Sequence, residues 1–228
     1  MKDVTVVLTA CNRPDLLKKT LDSFFEKNTY PITRFIITED GGSMDCNDFV
    51  IEQYPDTKFE LMYNAVHLGQ MRTIDLAYAR VTTPYIFHME EDWIFLKPGF
   101  IEVSMEIMET DLNIITVWLR SPEDETLKHL YLDEVYTTES GIQYKKCDVP
   151  YPRDKGLWNG FTLNPSLKRL RDYKKVSPYQ DLPRLTPVHL SGGNPLECDI
   201  SVAYAQLGYH AVTVLEQYIE HIGWDRHI

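Results

Sequence analysis

The 228-residue chain has only four cysteines, Cys11, Cys46, Cys147 and Cys198, and no two form a C-x-x-C pair. That spacing argues against a disulfide framework or a cysteine zinc site and predicts reduced thiols in a cytosolic compartment. Long apolar runs are also missing, and none approaches the roughly 18–20 residues that span a bilayer. Met1-Lys2-Asp3-Val4 leads into a β-rich run without a signal-peptide pattern, so the expected location is the cytoplasm or the cytoplasmic face of a membrane. Basic residues are in the minority, 23 against 34 acidic, and the net charge of −11 argues against nucleic acid or an anionic membrane as the main partner. Internal repeats and low-complexity tracts are absent. What is present, 43% apolar and 12% aromatic residues, is ample for the core of one large domain over residues 1–228.

The most informative segment is Tyr85-Ile86-Phe87-His88-Met89-Glu90-Glu91-Asp92-Trp93. Its apolar, β-branched and aromatic content, opened by Pro84, reads as a buried strand. Three adjacent acids at the end of such a strand repel one another and resist desolvation. A hard divalent cation, Mg²⁺ or Mn²⁺, would relieve that cost through carboxylate and phosphate oxygens. A solvated acidic turn is the plainer alternative.

The first half alternates strand and helix. Val4–Ala10, Arg34–Thr38, Lys58–Met62 and the acidic run read as strands. Asn12-Arg13-Pro14-Asp15 opens a helix whose stripe is Leu16, Leu17, Thr20, Leu21, Phe24 and Phe25. Further helices are expected around Phe49–Tyr54, over Gly69–Val81 and over Pro98–Thr110, before an apolar run at Asn113–Leu119. This pattern predicts an α/β fold, a mainly parallel sheet flanked by helices. Ligands bind such sheets at the carboxyl ends of the strands, where the polar motifs at 11–13, 39–43 and 90–92 all fall. The second half is less regular. Tyr131–Tyr136 and Ile142–Lys146 form a candidate hairpin, a small β-rich elaboration, and 174–187 reads as a surface loop. A helix opens at Asn194-Pro195-Leu196-Glu197 with Ile200, Ala203, Tyr204 and Leu207 buried, and Ala211–Leu215 is a last strand before the tail Tyr218–Trp224.

This order of features resembles the GT-A glycosyltransferases, and most closely their family-2-type members. The resemblance rests on Thr9-Ala10-Cys11-Asn12-Arg13, on Glu39-Asp40-Gly41-Gly42-Ser43 with Asp45, on Asn64, Gly69 and Arg72, and on Glu90-Glu91-Asp92 in place of a D-x-D motif. It spans roughly residues 4–97 and returns at 158–224, so that 1–97 would be a nucleotide-binding half and 98–228 a donor-sugar and acceptor half. It implies a nucleotide-sugar donor, a UDP-sugar foremost, a saccharide or glycoconjugate acceptor, and Mn²⁺ or Mg²⁺. Thr9, Cys11, Asn12, Arg13 and Asp40 would line the nucleoside pocket, where a carboxylate can accept from a base N–H or ribose hydroxyl. Arg72 would clamp the diphosphate through its planar fork. Asp92 would bind the metal with Glu90 or Glu91 directly or through water, and His221 matches a C-terminal histidine ligand, with His227 a lesser candidate. Trp158-Asn159-Gly160-Phe161 and Ser191-Gly192-Gly193-Asn194 would face the donor sugar.

Transfer with inversion needs one carboxylate base, because the leaving group is a diphosphate that needs no proton. The resemblance implies an acidic pair opening a late helix that ends in a Gly-Tyr-type turn, here Gly208-Tyr209; counting back eleven from Gly208 then puts Glu197 at that family's usual base position, with Asp199 as the second candidate. Asn194 to Glu197 is also a capping-box spacing, which would make Glu197 structural. Two other function classes stay open. A sugar nucleotidyltransferase would want a glycine-rich loop after the first strand, and Cys11-Asn12-Arg13-Pro14 has no glycine. A nucleotide- or glycan-binding module without turnover is the third.

Overall fold

The computed structural model describes residues 1–42, 44–120, 131–147, 159–185 and 195–224. Along the first half run β1 (Val4–Ala10), α1 (Pro14–Lys27), β2 (Arg34–Glu39), α2 (Asp45–Gln53), β3 (Glu60–Tyr63), α3 (Gln70–Tyr78) and β4 (Tyr85–Glu90). Next come β5 (Trp93–Phe95), α4 (Phe100–Thr110), β6 (Ile114–Trp118), β7 (Tyr131–Thr137) and β8 (Gln143–Cys147). β9 (Ser166–Arg169), α5 (Leu170–Val176), α6 (Pro195–Gln206), β10 (His210–Val214) and β11 (Ile219–His221) complete the order.

Strands β3-β2-β1-β4 pair in parallel, and β9 closes that sheet antiparallel to β4. All seven residues of β1 are buried, as a central parallel strand covered on both faces requires. Alternation along it feeds two cores. Val6 and Leu8 join Leu17, Leu21 and Phe24 of α1, whereas Val7 joins Met71, Ile74 and Tyr78 of α3. Phe24 anchors the first core, meeting Phe35 and Phe95 edge-on at ring separations of 5.5 and 5.3 Å. A second sheet, β6-β10-β8-β7, contains the expected hairpin, and β5 pairs antiparallel with β11. Among the described residues no helix is long and apolar enough to cross a membrane.

Several expectations change. Asn12 does not cap α1; it sits at φ 53° and donates through Nδ2 to the Gly41 carbonyl, leaving Arg13 at the cap position. Phe25 and Leu207 are exposed, Leu207 because α6 ends at Gln206 and turns its face away. Residues 174–185 are not merely a surface loop. Val176 ends α5 as a buried residue, and Tyr179 is buried because Asp75 of α3 accepts from Tyr173 Oη (2.7 Å) and from the Tyr179 and Gln180 amides (both 2.9 Å). Strands β5, β9 and β11 were not anticipated, since three or four residues carry too little periodicity. Ser43, 121–128, Trp158, Pro187, Ser191–Asn194 and His227 lie outside the described residues.

Asp75 ties the first half to the second through three donors. Asp75→Ala leaves them unsatisfied in a buried place, and its expected cost is about 3 kcal/mol or more in urea unfolding, against under about 1 kcal/mol for the exposed neighbour Leu76→Ala.

Candidate active site

The carboxyl ends of β1, β2 and β4 open into one cavity of about 560 Å³. Thr9, Cys11, Arg13, Asp40, Glu90, Glu91, Asp92 and His221, all marked in the sequence, lie on its wall. The parallel register brings them together: Thr9 stands beside Thr38 on one side and Glu90 on the other.

Three acids in this setting need compensation, and the chain supplies most of it. Arg13 Nε and Nη2 reach Glu91 Oε1 at 2.8 and 2.7 Å, while Nη1 reaches Asp92 Oδ2 at 2.9 Å. The Cys11 amide adds a bond to Glu91 at 3.0 Å, and Thr20 accepts the Trp93 amide while donating to the Glu91 carbonyl, fixing the turn. Burial pushes Glu91 up, against the pull of Arg13, to about 7. For Asp92 burial is outweighed by His221 and Arg13, which hold it below its ordinary value. Glu90 has only neutral partners, Gln70 Nε2 at 2.6 Å and Trp93 Nε1 at 3.3 Å. Burial and the charges of Asp92 and Glu91 raise it to about 8.

His221 arrives through β11. Pairing with β5 sets it opposite Trp93, and the Ile222 amide donates to the Asp92 carbonyl at 2.9 Å. The imidazole lies between Trp93 and Trp224, at ring distances of 4.8 and 4.6 Å, with Nε2 3.3 Å from Asp92 Oδ2. Gly223 is equally specific: a Cβ there would sit 2.4 Å from Asp92 Oδ2 and 2.9 Å from its Cβ, so only glycine admits this carboxylate.

Among the described residues no three His, Cys, Asp or Glu side chains form a metal cluster by themselves. Asp92 and His221 nevertheless fit part of one. Adjacent ligands around a six-coordinate ion at 2.0–2.1 Å stand about 3 Å apart, close to the spacing of these two donor atoms. A carboxylate with an imidazole suits Mn²⁺, leaving the other positions to water and substrate oxygens.

The Asn64–Gly69 motif proves to be a scaffold for Asp40. Oδ1 of Asp40 accepts from Asn64 Nδ2 (2.8 Å) and the Leu68 amide (2.9 Å), Oδ2 from the Gly69 amide (2.8 Å), and His67 approaches at 3.3 Å. Glu39, whose role the sequence did not reveal, is fully buried and accepts the Asn12 and Gly41 amides at 3.0 and 2.7 Å. It joins the first two strand-end motifs, and the Asn12 side chain packs where a Cβ on Gly41 would be. Asn12 itself is behind the wall.

Other marked residues stand apart. Arg72 is exposed on α3, outside the cavity. Asp199 is fully buried, with Oδ1 on the Leu185 amide at 2.8 Å and Oδ2 3.3 Å from Arg184. Glu197 is half-buried on the first turn of α6, held by the Thr162 hydroxyl and the Leu163 amide and close enough to Glu90 for their charges to couple. Burial raises it to about 7. Trp158 lies outside the described residues. The cavity also has basic side chains that the sequence reading passed over, His67 and Arg120. Arg120 lies 5.7 and 5.8 Å from the Trp93 and Trp224 rings and follows β6, so the strand-end rule that marked 90–92 also reaches it.

A mostly parallel sheet with an acidic turn at the end of β4 and a returning C-terminal histidine is the architecture of a GT-A glycosyltransferase. The model for glycosyl transferase family 2 matches residues 5–162, and the chain belongs to that family. Among solved structures it is similar to the mannosyltransferase PcManGT of Pyrobaculum calidifontis in complex with GDP-Man and Mn²⁺ (15% identity, 92% of this chain and 54% of that one, TM-score 0.63). It is also similar to S. aureus TarS 1–349 (12%, 96% and 60%, 0.62) and to that fragment with UDP-GlcNAc (12%, 98% and 61%, 0.61). The chain therefore spans about half to three fifths of the length of these neighbours. No curated protein matches it.

Two outcomes test the site. Gly223→Ala is expected to displace the Asp92 carboxylate and weaken Mn²⁺ binding at least tenfold by calorimetry, with melting temperature changed by only a few degrees. For Glu90 the sign is that of a carboxyl raised on folding. The folded state holds the extra proton, so stability falls as pH rises between the ordinary value and about 8. Glu90→Gln is thus expected to raise the melting temperature at pH 8 and to have little effect at pH 5.

Proposed function

We propose that the chain is a catalytic domain that transfers a sugar from a nucleotide-sugar donor, a UDP-sugar foremost, to a saccharide acceptor with inversion. The observation that carries this reading is the meeting of Asp92 and His221, from opposite halves of the chain, on the wall of a cavity at the strand ends. The two halves, 1–97 and 98–228, thereby act as one unit. Asp92 and His221 would hold a divalent cation, which neutralises charge on the departing diphosphate when bound.

The chain's own groups divide the remaining work. Arg13 keeps Glu91 and Asp92 in place and lends positive charge to the cavity. Thr9, Cys11 and Asp40 form the wall on the nucleoside side, and the Asp40-held loop presents His67 there. Cys11 is no nucleophile, because burial and the neighbouring Glu39 push its thiol up to about 11. The diphosphate role assigned to Arg72 from sequence passes to Arg120, which faces the cavity. Glu197 takes the acceptor hydroxyl proton as it attacks. Asp199 is already engaged by Arg184 and Leu185, so Glu197 is the better base.

The test is a screen of UDP-, GDP- and dTDP-sugars for hydrolysis and transfer with Mn²⁺, Mg²⁺ or EDTA. Metal-dependent turnover that is lost in Asp92→Asn, with the fold intact, is the expected result; full activity of that variant in EDTA overturns the metal assignment. Glu197→Gln should lower kcat by about 10²–10⁴ while nucleotide binding persists. Because the base works ionised, kcat/KM should rise with pH to a plateau through about pH 7.

A further inference from the structure

Lys168 is a charged side chain in a place where charge is costly. It lies on β9, is 2% exposed, and its ammonium has the Thr162 carbonyl at 2.7 Å, Ser166 Oγ at 3.1 Å and the Phe161 ring at 4.5 Å. All three are neutral. Desolvating an ammonium costs several kcal/mol, and neutral acceptors offset only part of it. An apolar side chain of similar length would serve packing better. Burial pushes the Lys168 ammonium down to about 7, against the opposing pull of the Glu197 and Glu90 carboxylates.

The connection to Glu197 has a definite geometry. Thr162 Oγ1 accepts the Asn164 amide at 3.1 Å, so its O–H is left to donate, and Glu197 is its acceptor. The carbonyl of the same residue accepts Lys168. One residue therefore grips the acid with its hydroxyl and the ammonium with its backbone, while the Leu163 amide supplies a further donor to Glu197. Ser201 Oγ of α6 accepts the Asn159 and Phe161 amides at 2.7 and 3.2 Å, so the segment leading to Thr162 and the helix carrying Glu197 are fastened together.

Resting on the reading of Glu197 as base, we propose that Lys168, held to the same residue Thr162 that grips Glu197, is the positioning residue that aims Glu197 and, while protonated, favours its carboxylate form. The titratable and charged groups that face Glu197 are Lys168 on β9, Glu90 at the end of β4, and its own neighbour Cys198, whose thiol burial keeps neutral. Glu90 opposes ionisation of Glu197, and Lys168 is the cation that favours it.

The test compares Lys168→Met, Thr162→Val and Glu197→Gln by kcat/KM against pH, by UDP calorimetry with Mn²⁺, and by thermal melting. Loss of either support makes the carboxylate less favourable, so the acidic limb should move to higher pH. A shift of one unit would lower kcat/KM about tenfold on that limb. UDP affinity should stay within about twofold, and thermal melting checks that each variant remains folded. An unmoved limb in both variants overturns the inference, whatever happens to stability. If Lys168→Met does not fold, Thr162→Val decides alone. Wild-type activity in Glu197→Gln would instead overturn the base assignment, a separate result.

Discussion

The Arg13 guanidinium is the constraint on which the rest of the site depends. It spans Glu91 and Asp92 where a buried strand delivers three acids in succession, reaching them at 2.7 to 2.9 Å. With Arg13 removed, two desolvated carboxylates would face each other without a cation, a loss of about 3–5 kcal/mol for a broken buried pair. Pro14 and the first turn of α1 fix Arg13 in turn, and Asn12 at positive φ aims the chain toward the cavity. A local turn in the first fifteen residues thus sets the protonation of groups nearly eighty residues later.

That arrangement also divides labour among the acids. For Asp92 burial is outweighed by His221 and Arg13; Glu91 receives Arg13 and the Cys11 amide on one oxygen; Glu90, with neutral donors only, is raised to about 8. A triplet that looks uniform in sequence therefore contains an acid held beside an imidazole and a guanidinium, a structural brace and a group whose charge responds to its surroundings. The same partition separates Glu197 from Asp199, one near Glu90 and one turned to Arg184.

Strands β1, β2 and β4 and helices α1 and α3 were legible because their apolar patterns are sustained and breakers such as Pro14 and Pro84 mark where elements begin. The strand-end rule then located the cavity without any coordinates. What escaped was the wiring. Nothing in Glu39-Asp40 says that the first acid receives two amides and the second holds the Leu68–Gly69 loop, since both facts depend on contacts across β1, β2 and α3. Arg72 is exposed and off the cavity wall, which spacing along a helix does not reveal. β11 was read as tail because three residues have no period, and its identity comes only from pairing with β5.

The pairing of β5 with β11 joins the middle of the chain to its last described strand at the cavity wall. His221 and Gly223 contact an aspartate whose other partner is Arg13, so competence cannot develop piecemeal during synthesis. An emerging polypeptide would hold the strand ends of β1, β2 and β4 long before β11 brought His221 to Asp92, so the cavity wall is completed only when the last described strand docks against β5.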